Sequence, residues 1–143
     1  MNIIFFGTPE IAVNTLTSLE KDKDINVLGV VTQPDKQVGR KKIITASPIK
    51  TAAIKMGIKV FQPYTKEEIH ELLINKNADF FIVFAYGMIL KKEILELPKI
   101  AAINIHTSIL PKYRGASPIQ EAIKNGDTQT GISIMKMDEK LDH

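Results

Sequence analysis

The chain has 143 residues, of which 44% are hydrophobic and 24% charged, and its formal net charge is +3. This length and composition indicate one globular domain with a hydrophobic core, and the mild positive charge permits nucleic-acid binding without implying it. Because the sequence contains no cysteine, disulfides and thiolate metal sites are excluded.

The first third of the chain predicts a strand, a helix and a second strand. Residues 2–6 form a short apolar run without the basic region of a signal peptide, and a tight turn at 7–9 follows. Thr8 would cap a helix over about 9–20, and the valine-rich segment 26–32 predicts the second strand. No apolar run approaches the roughly 20 residues that span a bilayer, so we expect a soluble, cytoplasmic protein.

A polar loop at 36–42 contains the densest basic cluster of the chain. Short basic runs are common on solvated surfaces, and the pattern taken alone favours that interpretation. The alternative is attraction to phosphate groups, which needs no specific arrangement of the charges. The cluster consists of Lys36, Arg40, Lys41 and Lys42.

The middle of the chain continues the alternation of helices and strands and ends in a glycine turn. Gly87 in this turn would let a ligand approach the backbone closely. Alternatively, Gly87 only turns the chain, and Met88, Ile89 and Leu90 belong to the core; the pattern does not decide. The predicted elements are a helix over 47–56 capped by Ser47, a strand at 58–61, a helix at 66–75 opened by Thr65, a strand at 80–85 and a short helix around 91–96.

A strand predicted at 100–106 delivers Asn104 and His106 to its end. Since strand side chains alternate, these two should share one face. An amide can stabilise an oxygen that acquires negative charge, and an imidazole with a pKa of about 6.5 exchanges protons near neutral pH. The pair suits attack on a carbonyl, although a lone histidine at a strand end is more often structural. Ser117 then opens a helix through a second capping box, and 130–137 predicts the last strand.

Other sites are weakly supported. Three histidines without an HxxxH pair argue against zinc. The first turn lacks the later glycines of a dinucleotide motif, which disfavours NAD, and neither a phosphate-binding loop nor a GxSxG elbow is present. Asp142 is a carboxylate that follows the last predicted strand, and it would favour a charged His106 if the two lie side by side.

The order of these elements predicts one doubly wound α/β fold: a mainly parallel sheet with helices on both faces. In such sheets ligands bind beyond the carboxyl ends of the strands. The turns at Gly7, Gln33, Tyr86 and His106 should therefore lie on one rim of the sheet.

Four segments resemble the methionyl-tRNA formyltransferases, a branch of the 10-formyltetrahydrofolate-dependent formyltransferases. The Asn-x-His, SILP and YRGA elements with a later LD resemble the wider group, and GTPE with the basic QPD loop resembles the tRNA branch. The resemblance spans essentially the whole chain and implies a Rossmann-like catalytic domain. The segments are FFGTPEIA at 5–12, VVTQPDKQVGRKK at 30–42, FAYGMIL at 84–90 and NIHTSILPKYRGASPIQ at 104–120.

The resemblance implies transfer of a formyl group from 10-formyltetrahydrofolate to the α-amino group of methionyl initiator tRNA, for translation initiation, without a metal. Asn104, His106 and Asp142 match the catalytic trio: the first two would stabilise the oxyanion, and Asp142 would hold His106 charged and help to relay the proton. Arg40 is the best single tRNA contact, with Lys36, Lys41 and Lys42 beside it. The implied folate-binding residues are Phe84, Ala85, Tyr86, Gly87, Met88, Ile89, Leu90, Ser108, Leu110 and Pro111.

Family members continue past the position of His143, complete the sheet and add a C-terminal β-barrel that helps to hold the tRNA. We therefore expect residues 1–143 to be an N-terminal catalytic domain, incomplete at its C-terminal end and without the barrel, from a monomeric enzyme. We expect the complete protein, and not this portion alone, to be the active enzyme. His143 replaces the small or polar residue expected after LD. The alternatives are an amino-sugar-nucleotide formyltransferase of the same fold and a non-catalytic RNA-binding module.

Overall fold

The computed structural model describes residues 1–138 and contains a six-stranded sheet and a separate two-stranded hairpin. The strands are β1 Asn2–Gly7, β2 Asn26–Val31, β3 Lys36–Val38, β4 Ile43–Thr45, β5 Val60–Phe61, β6 Phe80–Phe84, β7 Ala101–His106 and β8 Ser133–Lys136. The helices are α1 Val13–Lys21, which a 3-10 turn at Glu10–Ala12 precedes, α2 Pro48–Lys55, α3 Lys66–Leu73, α4 Lys92–Leu95 and α5 Pro118–Lys124.

The order of strands in the large sheet is β5-β2-β1-β6-β7-β8. All neighbours pair in parallel except β7 and β8, which are antiparallel. The chain moves outward from β1 to β2 and β5, then returns to place β6 on the other side of β1. The mainly parallel, doubly wound sheet predicted from the sequence is confirmed, and its strand order reverses between β1 and β6.

Two hydrophobic clusters cover the opposite faces of the sheet, which explains why the central strands are apolar without interruption. Successive side chains of a strand point to opposite faces, so Ile4 and Phe6 pack with Ile69 of α3, whereas Phe5 packs with Leu16 of α1. All five side chains are completely buried. Burial of each such side chain contributes about 1.5 to 3 kcal/mol, so the centre of the sheet is a firm support for its rim.

The first helix differs from its prediction because Thr8 has another role. Its hydroxyl does not cap a helix but donates a hydrogen bond to the carbonyl oxygen of Tyr86, at 2.8 Å. The chain makes the 3-10 turn at Glu10–Ala12 without a side-chain cap, and α1 begins only at Val13. Thr8 therefore joins the turn after β1 to the turn after β6.

The basic segment predicted as a polar loop is part of an antiparallel hairpin. β3 pairs with β4 through three residue pairs, and the connecting turn contains Gly39 and Lys42 with φ of 73° and 49°. Every residue of both strands is exposed. Because the hairpin buries neither face, its sequence carries no alternation of apolar and polar residues that would predict strands.

Two of the remaining predicted helix caps are present and one is wrong. The Ser47 hydroxyl accepts a hydrogen bond from the Lys50 amide at 3.0 Å, and the Thr65 hydroxyl accepts one from the Glu68 amide at 3.2 Å. Ser117 makes no side-chain cap; the rigid ring of Pro118 starts α5 instead. The other elements predicted at 47–56, 58–61, 66–75, 80–85, 91–96, 100–106 and 130–137 exist with shorter bounds.

Candidate active site

A pocket of about 450 Å³ lies beyond the carboxyl ends of β6 and β7. It is beside the place where the strand order reverses, which is where open α/β sheets bind ligands. Four segments of the chain form its wall. They are residues 83–90, residues 104–107, positions 115, 116 and 118 around the start of α5, and residues 135–138.

Asn104 and His106 both line this pocket. They are alternate residues of β7, and Ile105 between them packs partly against the core on the α1 side of the sheet. The predicted shared face is therefore present. Asn104 is half-buried, whereas His106 is only 5% exposed, so the pocket brings a neutral hydrogen-bond donor and a shielded imidazole together.

The ring of His106 is fixed by a backbone group. Its Nε2 lies 2.9 Å from the carbonyl oxygen of Tyr113 in the loop after β7. Since a carbonyl oxygen can only accept a hydrogen bond, Nε2 carries a proton in this arrangement. A histidine with a purely structural role could make the same contact. The position of His106 beside Asn104 on the pocket wall favours a chemical role.

The turn after β6 presents its backbone to the pocket. Ala85 and Gly87 are exposed and have positive φ angles of 51° and 87°, whereas Tyr86 and Leu90 are buried in the core. A left-handed conformation costs a residue other than glycine about 1 to 2 kcal/mol. Of the three residues that the alternative interpretation places in the core, Leu90 is buried and Met88 packs partly against the core, whereas Ile89 is 61% exposed. Ala85 and Gly87 form exposed backbone at the pocket.

Gly87 also allows a close approach between two turns of the rim. A Cβ atom at this position would lie 3.1 Å from the side-chain nitrogen of Gln33. The backbone N–H of Gln33 donates a hydrogen bond to the Thr8 hydroxyl at 3.4 Å. That hydroxyl in turn donates to the Tyr86 carbonyl oxygen. These contacts join the turns after β1, β2 and β6, as the position of these turns on one rim predicts.

The hydroxyl of Tyr86 is buried and has no hydrogen-bond partner among residues 1–138. The ring packs edge-on against Phe6, with 5.4 Å between the ring centres. Burial raises the pKa of Tyr86 to about 12, so the phenol stays neutral throughout the physiological range.

Three residues predicted to bind folate lie outside the pocket wall. Ser108 is completely buried, and its hydroxyl donates to the Lys112 carbonyl at 2.6 Å. The amide of Leu110 donates to the Ser133 hydroxyl at 3.1 Å, and the bond between Leu110 and Pro111 is cis. The contacts of Ser108 and Leu110 are with the loop and β8, so the structure assigns them to the shape of the loop that carries Tyr113.

The predicted basic cluster also lies apart from the pocket, on the exposed hairpin of β3 and β4. The base of the hairpin is anchored at Asp35, whose carboxylate accepts hydrogen bonds from Lys50 Nζ and Gln62 Nε2, both at 2.7 Å. The contact with Lys50, followed by that with Gln62, holds the pKa of Asp35 below its usual value. The cations therefore project from an anchored support. The cluster comprises Lys36, Arg40, Lys41 and Lys42.

The contribution of β8 and the role of Tyr113 could not be inferred from residue types. Tyr113 acts through its carbonyl, a group that every residue carries, and residues 135–138 reach the pocket only because β8 pairs with β7.

Asp142, the third member of the predicted trio, lies outside the described residues. Within the described part of the chain, no cluster of three or more acidic, histidine or cysteine side chains could hold a metal ion. None of the described helices is long and apolar enough to cross a membrane.

Comparison with known proteins relates the whole chain to one family. The family model described as formyl transferase matches residues 1–143. Proteins named methionyl-tRNA formyltransferase are 48% identical in Mesoplasma florum, 50% in Caldicellulosiruptor saccharolyticus and 52% in Gloeothece citriformis. Each alignment covers 99% of this chain but only 45%, 47% and 43% of the respective relative. The chain thus spans less than half the length of these relatives.

Solved structures with lower identity share the fold. A phosphoribosylglycinamide formyltransferase from Bacillus halodurans superposes with a TM-score of 0.79 at 20% identity, covering 100% of this chain and 75% of the other. A 4-N formyltransferase from Francisella tularensis gives 0.66 at 19% identity, covering 99% and 52%. At these identities the similarity establishes the architecture of the sheet and its helices.

Proposed function

The chain belongs to the formyl transferase family, and we propose that the complete protein transfers a formyl group from 10-formyltetrahydrofolate to the α-amino group of methionyl initiator tRNA. One observation carries the proposal: Asn104 and His106 line the same pocket as the turn that matches the folate-binding segment of the family. The names of the relatives in three bacteria support methionyl-tRNA as the acceptor.

The pocket would receive the formyl donor against the turn after β6. The exposed backbone at Ala85 and Gly87 offers amide and carbonyl groups to a planar, hydrogen-bonding ring system, and Met88 and Ile89 add apolar contacts. Binding sites of this kind combine an apolar wall with a few fixed polar groups. The donor is a co-substrate, and we propose no metal in the reaction.

The chemical step would use Asn104 and His106 together. As the amine attacks the formyl carbon, negative charge develops on the formyl oxygen, and the Asn104 amide and the protonated His106 ring would stabilise it. Fixed donors in a shielded site are effective because they need no reorganisation, and removal of one such donor typically lowers kcat by about 10² to 10³. We propose that Asp142 keeps His106 charged and relays the proton of the amine to N10 of the folate. The bond between the formyl carbon and N10 then breaks, tetrahydrofolate leaves, and the formyl group stays on the amine.

The acceptor would be held in part by the hairpin of β3 and β4. Its exposed cations, Arg40 foremost, form a surface that a phosphate backbone can contact, and the hydrogen bonds to Asp35 fix the base of the hairpin. Contacts to phosphate release counterions, so this part of binding should weaken as salt concentration rises.

Acceptor competition tests this function. The complete protein is incubated with 10-formyltetrahydrofolate and either methionyl initiator tRNA or an amino-sugar nucleotide, and the formylated product is measured. We expect formylmethionyl-tRNA as the main product. Transfer to the amino sugar without transfer to the tRNA would contradict the proposed acceptor, and absence of both products would contradict the proposed reaction.

A further inference from the structure

The loop after β7 contains a hydrogen-bonded chain that ends on His106. We propose that Tyr113 and Asp127 are positioning residues, which hold the His106 ring in one orientation through the backbone of Tyr113. This inference rests on the proposed function for the part that concerns catalysis. The part that concerns the state of the His106 ring can be measured without any substrate.

The first contact of this chain is between His106 and the Tyr113 carbonyl. The 2.9 Å separation from Nε2 requires a proton on that nitrogen, because the carbonyl oxygen offers only lone pairs. The contact therefore selects one neutral tautomer and fixes the plane of the ring. A displaced carbonyl would remove this contact and its preference for the proton on Nε2.

The conformation of Tyr113 shows that its carbonyl needs external support. Its φ is 55°, in the left-handed region, which costs a residue with a side chain about 1 to 2 kcal/mol. Without a compensating contact, the backbone would relax toward an ordinary conformation. The carbonyl would then turn away from His106.

The second contact supplies this support. The Tyr113 hydroxyl donates a hydrogen bond to Asp127 Oδ2 at 2.7 Å, and this bond raises the pKa of Tyr113. Asp127 is itself held at the end of α5, where its amide donates to the Ala122 carbonyl at 3.0 Å. Lys112 Nζ lies 3.6 Å from the same Asp127 oxygen. The phenol is thus bound to a carboxylate whose backbone is part of a helix end.

This arrangement gives Asp127 an effect on His106 although the two side chains do not need to touch. Removal of the phenol hydroxyl or of the carboxylate would release the strained Tyr113 backbone. The ring of His106 would lose the Tyr113 carbonyl as an acceptor and would be held less tightly in its orientation. Displacement of a reacting group by about 1 Å can lower turnover about 10²-fold, so we expect kcat to fall while KM for the folate donor changes little.

Four variants of the complete protein test the proposal. Tyr113→Phe removes only the hydroxyl, and Asp127→Ala removes its acceptor. Asp127→Asn keeps a side-chain oxygen that can still accept the bond, so it should restore part of the lost function. Tyr64→Phe is the matched control, because it makes the same chemical change at an exposed position. Tyr64 is 77% exposed and lies just before α3, far in sequence from the loop after β7.

The decisive readout is the ¹⁵N spectrum of the His106 ring at a pH where the ring is neutral, assigned by the signal that is lost in His106→Ala. We expect the proton on Nε2 in the unmodified protein and in Tyr64→Phe, and a smaller fraction of this tautomer in Tyr113→Phe and Asp127→Ala. In parallel, kcat should fall about 10-fold to 100-fold in these two variants. The double variant should lose little more than either single one, because both changes break one chain of contacts.

Two results would overturn the inference. The first is an unchanged His106 tautomer in folded Tyr113→Phe and Asp127→Ala. The second is a kcat that stays within about 2-fold of the Tyr64→Phe value in both variants, because a change of this size is no larger than that of an ordinary surface substitution. If Asp127→Ala does not fold, Tyr113→Phe and Asp127→Asn decide the question. Failure of the unmodified protein to formylate methionyl-tRNA would instead reject the proposed function, and the spectra would still test the contact.

Discussion

Ser133 of β8 donates a hydrogen bond from its hydroxyl to the carbonyl oxygen of Ser108, 25 residues earlier in the chain, at 2.8 Å. The same hydroxyl accepts a hydrogen bond from the Leu110 amide at 3.1 Å. One side chain thus satisfies two backbone groups of the loop after β7. The antiparallel strand β8 is therefore more than the edge of the sheet, because it also fixes the loop that carries Tyr113.

Replacement of Ser133 should loosen this loop. In Ser133→Ala the Leu110 amide loses its acceptor and the Ser108 carbonyl loses a donor, and an unsatisfied buried group costs about 1 to 3 kcal/mol. We expect the free energy of unfolding to fall by about this amount in denaturant titrations. Ser18→Ala, on the exposed side of α1, is the control and should be nearly neutral. Equal stability of the two variants would contradict the role of Ser133.

The buried hydroxyl of Tyr86 predicts an increase in stability on its removal. Since this hydroxyl has no partner among the described residues, Tyr86→Phe removes a desolvated polar group without breaking a hydrogen bond. We expect the free energy of unfolding at neutral pH to rise by up to about 1 kcal/mol. Tyr64→Phe, at an exposed position, should leave it unchanged. A clear loss of stability in Tyr86→Phe would show that the hydroxyl does have a partner.

Alkaline pH should widen this difference. The pKa of Tyr86 is raised to about 12 in the folded protein, so the unfolded chain loses the proton first, near the ordinary value of about 10. As pH rises from about 10 to about 12, the unfolded chain gives up this proton more readily than the folded protein, so the free energy of unfolding of the unmodified protein falls. Two pKa units correspond to about 2 to 3 kcal/mol. The free energy of unfolding of Tyr86→Phe should exceed that of the unmodified protein by this additional amount at high pH. Parallel stability curves of the two proteins above pH 10 would contradict this expectation.

Gly87→Ala should damage the pocket as well as the backbone. Its φ of 87° is unfavourable for alanine, and the new Cβ would lie 3.1 Å from the Gln33 side chain. Gly126→Ala is a matched control, because Gly126 has a φ of 69° but open space around its Cβ. Both variants should lose about 1 kcal/mol of stability. Only Gly87→Ala should weaken binding of a folate analogue severalfold in calorimetry; equal binding by the two variants would argue against a folate site at this turn.

Arg40→Ala should affect the tRNA reaction selectively. Loss of one phosphate contact should lower kcat/KM for methionyl-tRNA and reduce the slope of log kcat/KM against log salt by about 1. The KM for the folate donor should stay the same, because Arg40 lies on the hairpin and outside the pocket wall. Lys55→Ala, an exposed cation on α2, serves as the control. Unchanged tRNA kinetics in Arg40→Ala would reject the proposed contact.

The sequence was sufficient for the sheet because burial on both faces leaves a strong pattern. The run Ile3–Phe6 and the strand β6 are apolar throughout, since helices cover both sides of the central strands. The hairpin of β3 and β4 leaves no such pattern because both of its strands are exposed. Thr8 and Ser117 were predicted as helix caps from their residue types. The Thr8 hydroxyl instead donates to the Tyr86 carbonyl, and α5 begins at Pro118 without a side-chain cap from Ser117.

The candidate site was predictable where side chains carry the chemistry. Asn104 and His106 were found from strand alternation and from their resemblance to a family motif, and both line the pocket. Tyr113 was missed because a backbone carbonyl makes its contact with His106. Ser133 was missed because its partners lie in a loop whose path depends on tertiary structure.

We propose that Asn104 and His106 perform formyl transfer. The decisive measurement is single-turnover transfer from 10-formyltetrahydrofolate to methionyl initiator tRNA, with the complete protein in excess over the tRNA and the folate donor saturating. We expect Asn104→Ala and His106→Ala each to lower the rate about 10² to 10³-fold, with nearly unchanged binding of both substrates, and His70→Ala on α3 to retain the normal rate. A normal rate in His106→Ala would contradict a role of His106 in the transfer.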